Sequence, residues 1–101
     1  MSDGFVKLQK QVFGTSDKPD ALLALAEKYL KEGYYNHAAA AATAGSAQFS
    51  AAEGDFKAIL GCSLIKLNLL SEANYHLKKA SSYKDLADRC RSELLQRQNN
   101  S

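Results

Sequence analysis

Four side chains in this sequence could take part in acid–base or nucleophilic chemistry near neutral pH: Cys62, Cys90, His37 and His76. Cys62 and His76 fall on neighbouring predicted helices, the pairing that would activate a thiol by passing its proton to an imidazole. Neither has a third group placed to orient it. A thiol on an apolar helical stripe packs as a small hydrophobe instead. Cys62 and Cys90 stand 28 residues apart with no C-x-x-C pairing, and two reduced, mostly buried thiols are expected. The histidines belong to no metal-ligand cluster, so no metal and no cofactor are expected. The chain has no glycine-rich phosphate loop, no H-E-x-x-H and no G-x-S-x-G. The reading is therefore of a protein that is not an enzyme and takes no small-molecule substrate.

Binding is the remaining class, and charge narrows it. The 101 residues carry a net charge of +2. Basic and acidic residues balance in the first fifty. The surplus lies in the second half, where Lys78, Lys79, Lys84, Arg89 and Arg91 alternate with Asp85, Asp88 and Glu93. Interleaved signs describe a solvated helix face, not a nucleic-acid interface. No apolar run reaches the ~18 residues of a membrane span, and MSDGFVKLQK has no signal-peptide core. A cytoplasmic protein that binds no membrane and no nucleic acid is expected.

The elements that must position a binding face read as helices throughout. Leu22, Leu25, Ala26, Tyr29 and Leu30 repeat with a helical period, after Pro19 and before Gly33. An alanine-rich helix follows, with Asn36 as its N-cap. Ser50 and Glu53 have capping-box spacing before a longer helix reaching about Leu70. Ser71 caps a short helix ending near Ser81. Ser82 and Asp85 open a last one with Leu86, Cys90 and Leu94 on a single stripe. A further helix over residues 1–14 carries Phe5, Leu8 and Val12 on one side. Short connections require consecutive helices to pack antiparallel.

Shifted by 35 residues, the chain matches itself. Leu25, Ala26, Tyr29, Gly33, Ala38 and Gly45 fall on Leu60, Gly61, Leu64, Asn68, Ala73 and Ala80. In this order and spacing the residues resemble the tetratricopeptide (TPR) repeat, a helix–turn–helix unit of ~34 residues. Two features depart from that pattern. Ser50 and Asp85 stand where a proline often separates units, and Ala42 and Lys57 replace large apolar residues. The resemblance implies an all-α fold of two TPR-like units (19–50 and 51–83), with the N-terminal helix (1–14) and a C-terminal capping helix (84–97). It also accounts for the alanines. Ala38, Ala41, Ala42 and Gly45 make a face without protruding atoms, so the helix serves as a thin spacer between its neighbours.

By the same resemblance, first helices line a concave face. Asp20, Leu23, Glu27, Leu30 and Lys31 contribute in the first unit, and Asp55, Ala58, Cys62, Ile65 and Lys66 in the second. The places where carboxylate-clamp TPR proteins carry basic side chains hold Leu23, Glu27, Ala58 and Cys62 here. What the pattern describes is an open, mildly apolar trough edged by Lys31, Lys66, Tyr34 and Tyr35, suited to an amphipathic helix. The partner-binding residues expected are Leu23, Glu27, Leu30, Tyr34, Ala58, Cys62, Ile65 and Lys66, unless the N-terminal helix itself fills the trough.

Among small TPR proteins the chain is similar to the needle chaperones of type III secretion systems. That similarity implies a chaperone that works with a small helical co-chaperone. Together they would hold the amphipathic helix of a needle or filament subunit and prevent premature polymerisation. A TPR-like structural adaptor or homo-oligomeric scaffold is the alternative. RNA binding through the basic second half is a weaker third.

Overall fold

Leu22, Leu23, Leu25, Ala26 and Tyr29 form the buried side of the first helix, α1 (Asp20–Lys31). The computed structural model describes residues 18–99; the segment expected to form an N-terminal helix lies outside them. Four more helices follow: α2 (Tyr35–Gln48), α3 (Glu53–Lys66), α4 (Leu70–Leu77) and α5 (Leu86–Asn99). A single 3-10 turn, Ser50–Ala52, leads into α3. The fold is all-α and repeat-like. Among the described residues there is no strand, and no helix is long and apolar enough to cross a membrane.

The repeat is visible in the backbone. The α1–α2 corner is closed by Gly33 N–H donating to Leu30 (3.3 Å) and Tyr34 N–H donating to Tyr29 (2.9 Å). Thirty-five residues later, Asn68 N–H donates to Ile65 (2.9 Å) and Leu69 N–H to Leu64 (2.8 Å). Both corners are Schellman motifs, which need a left-handed residue just past the helix. Gly33 (φ 86°) and Asn68 (φ 63°) supply it. Asn68 ends α3 at Lys66, four residues before the end expected from sequence.

α3 is the hub and packs against every other helix. From Phe56 to Ile65 every residue but Lys57 is buried, as befits a helix apolar all round. α2 is its opposite, burying only Ala38, Ala42 and Gly45. Ala38 and its counterpart Ala73 are both fully buried, as the shift requires. The closeness of the α2–α3 contact is measured by Gly45, where an added methyl group would fall inside the Phe56 ring. The Phe56 ring lies stacked beside Phe49, centroids 6.3 Å apart.

The helix starts expected from hydroxyl and amide caps are shifted. α2 begins at Tyr35, ahead of Asn36, and α4 at Leu70, ahead of Ser71. Ser50 opens the 3-10 turn in place of a capping box. No side-chain cap bond forms at the start of α1, α2, α3 or α4. Tertiary packing and the corner hydrogen bonds hold these ends.

Candidate functional site

The second unit departs from the first after Leu77. α2 runs for 14 residues, α4 for eight. The chain therefore leaves α4 early and passes the start of α3 and Glu27 of α1 before entering α5. Ser81 anchors the crossing: its N–H donates to the Gly54 carbonyl (3.1 Å) and its hydroxyl to Asp55. Tyr83, Lys84 and Asp85 follow with φ of 27°, 55° and 62°, three successive non-glycine residues in left-handed conformations. Such residues cost about 1–2 kcal/mol each, so neighbouring contacts must hold them.

Glu27 on α1 does so. The Tyr83 hydroxyl donates to Glu27 Oε2 at 2.8 Å, and Lys84 Nζ lies 3.2 Å from the same oxygen. Lys31 Nζ reaches Glu27 Oε1 at 3.2 Å. Burial works to raise the Glu27 pKa, but hydrogen bonds from Tyr83, Lys84 and Lys31 outweigh it and hold the carboxyl below its ordinary value. Tyr83 moves the other way. Burial and its bond to Glu27 push the phenol well above its ordinary value, so it remains a donor.

α5 then lies on α3 and, to a lesser extent, on α4, with Ala87, Cys90 and Leu94 buried. Its Arg91 reaches the carbonyls of Leu77 (2.6 Å) and Ala80 (3.2 Å), satisfying acceptors left where α4 ends early. Lys66 and Glu93 pair at 3.3 Å between α3 and α5.

The thiols are not free. Cys62 and Cys90 form a disulfide joining α3 to α5, with Cα atoms 5.5 Å apart. This corrects the expectation of two reduced cysteines. Two stripe positions on helices distant in sequence face one another here, a pairing that spacing along the chain does not reveal. His76 makes no thiol–imidazole pair; its Nδ1 lies 3.0 Å from Lys57 Nζ. Burial and the charges of Lys57 and Lys79 lower its pKa. No group of three or more potential metal ligands occurs among the described residues.

Most of the residues expected to line the trough are buried. Ala58 and Ile65 are fully buried, Cys62 is 2% exposed and Leu23 8%. Of these four, Leu23 and Cys62 still border the clefts described next, while Ala58 and Ile65 do not. Glu27, Leu30 and Lys66 stay accessible in part. Tyr34 is exposed but sits with His37 (5.9 Å between ring centroids) and lines neither cleft described next.

Tyr83 and Lys84 divide what remains into two clefts that share Glu27. One, of about 550 Å3, runs along α1 past Asp20 and Leu23 to Asp55. The other, of about 490 Å3, opens between α1 and α5, where Leu30 and Leu86 form an apolar floor beside the disulfide. Sequence reasoning missed Tyr83, Leu86 and Arg89 as contributors to this face. The stripe of Leu86, Cys90 and Leu94 was the available signal, since an apolar stripe must lie on something. No protein-family model, curated protein or solved structure matches the chain.

Proposed function

We propose that the chain is a two-unit TPR-like module that binds an amphipathic helix of a partner protein on its concave side. What supports the reading is how that side handles α5. An amphipathic helix already rests on α3, with its apolar stripe inward and Asp88, Arg89, Ser92 and Gln96 outward. α1 does not pack against α5 itself. The cleft beside α5 thus has one wall built like the wall that α5 occupies, and a second helix extends the same mode of recognition.

The finer reading follows the resemblance to needle chaperones. With a small helical co-chaperone, the chain would shelter an amphipathic helix of a needle or filament subunit until export. A polymerisation assay tests it. A stoichiometric amount of the chain should lengthen the lag before such a subunit assembles, and Leu30→Asp should abolish the effect. An unchanged lag with the unaltered chain refutes the chaperone reading.

A further inference from the structure

The two clefts flanking Tyr83 differ in sign. Along the first, Asp20, Glu27, Glu32 and Asp55 outnumber Lys28, Lys31 and Lys84. Around the second, Lys31, Lys66, Lys84 and Arg89 outnumber Glu27 and Glu93. Both carboxylates of the second cleft are already shared. Glu27 accepts from Tyr83, Lys84 and Lys31, and Glu93 pairs with Lys66 (3.3 Å) and Arg97 (3.0 Å). The cations therefore exceed what the cleft itself neutralises, above a floor of Leu30 and Leu86. Its volume falls within the roughly 300–1,000 Å3 of ordinary ligand clefts.

Resting on the helix-binding reading above, we propose that the cleft between α1 and α5 selects an acidic amphipathic helix. Apolar side chains of that helix sit on Leu30 and Leu86. Carboxylates flanking its apolar stripe meet Lys31 and Lys84 at one side and Lys66 and Arg89 at the other. The first cleft offers no such excess of cations, so the charge difference across Tyr83 favours the second. A nucleic acid fits less well. The aromatic ring in the cleft, Tyr83, is half-buried and tied to Glu27, which leaves no free platform for base stacking.

The test uses the full chain with its disulfide intact and three synthetic helical peptides sharing one leucine stripe. Their flanks carry glutamate, glutamine or lysine, and a single-stranded oligonucleotide is the fourth probe. The glutamate peptide should bind tightest, and its affinity should fall as salt rises. Arg89→Glu, an exposed change whose folding is checked by circular dichroism, should weaken it by about fivefold. Arg89→Lys should retain most of the affinity. Equal binding of the glutamate and glutamine peptides, both lost in Leu30→Asp, overturns the acidic preference while leaving helix binding in place. No binding of any peptide overturns both. Oligonucleotide binding that matches the glutamate peptide and is lost in Arg89→Glu overturns the choice of a protein partner.

Discussion

The two helical units share their corners and part at their exits. Each ends its first helix with the same hydrogen bonds, 35 residues apart. The first unit then hands over through a full-length α2 to α3, which buries nine residues. The second hands over through a truncated α4 and three left-handed residues to α5, which buries three. One exit is held by apolar mass, with Phe56 at its centre. The other is held by a disulfide, the Glu27 cluster and Arg91 on bare carbonyls. The same corner thus leads to a closely packed junction in the middle and a tethered crossing at the end, and the crossing borders the candidate binding cleft.

The largest effect should come from breaking the closely packed junction. Phe56→Ala removes a fully buried ring and should cost about 3–5 kcal/mol in chemical denaturation. A loss much smaller than that would mean that α2 and α3 adjust to one another, and the contrast between the exits would weaken.

Next is the tethered crossing. Removing the Cys62–Cys90 link, by a dithiol or by Cys90→Ser, should cost about 2–4 kcal/mol. Hydrogen exchange should quicken in α5 and in residues 81–85 well before α1 to α3. Uniform loss of protection would show that the crossing and α5 are no separate unit.

Within the units, the comparison sharpens at one pair of positions. The first unit carries Ala26 and Ala42, both fully buried, where the second carries Gly61 and Leu77. A methyl group on Gly61 would fall inside the Leu77 side chain. Gly61→Ala should cost about 1–3 kcal/mol through overpacking. Combined with Leu77→Ala it restores the alanine pair of the first unit, and the double variant should lose less than the sum of the single losses. Strict additivity would deny that the two positions are coupled.

The smallest effect concerns the strap. Tyr83→Phe removes the donor to Glu27 and should cost about 1 kcal/mol. It should also change the acid limb. A carboxyl whose folded pKa is depressed contributes stability that is present above its unfolded pKa and lost as pH falls through the folded value. Tyr83 is the first of the hydrogen bonds that depress Glu27. The variant should therefore lose less stability than the parent as pH drops below the ordinary glutamate value of 4.5. Identical acid limbs would place the linkage in other carboxylates.

The repeat was legible because its signals are local. Apolar periods, a glycine at one corner and an asparagine at the other, and small residues at matched places all report on neighbouring turns. Helix starts were misjudged because Asn36, Ser50 and Ser71 satisfy a cap pattern that tertiary packing overrode. The exit of the second unit was illegible for another reason. Nothing around Lys78 marks the early end of α4, whose last carbonyl, that of Leu77, is met by Arg91, 14 residues beyond Leu77. The cross-link between Cys62 and Cys90 and the tie between Tyr83 and Glu27 likewise join residues 28 and 56 positions apart. A trough inferred from first helices alone could not include the segment that borders it.

Partner recognition is proposed in the cleft between α1 and α5. Backbone amide chemical shifts, followed during titration with the glutamate-flanked peptide, test this most directly. Changes concentrated at Leu30, Lys31, Lys66, Leu86 and Arg89 are expected, with α2 unaffected. Changes centred instead on the exposed outer surface, at Ala40, Thr43, Ala44 and Tyr75, would contradict it.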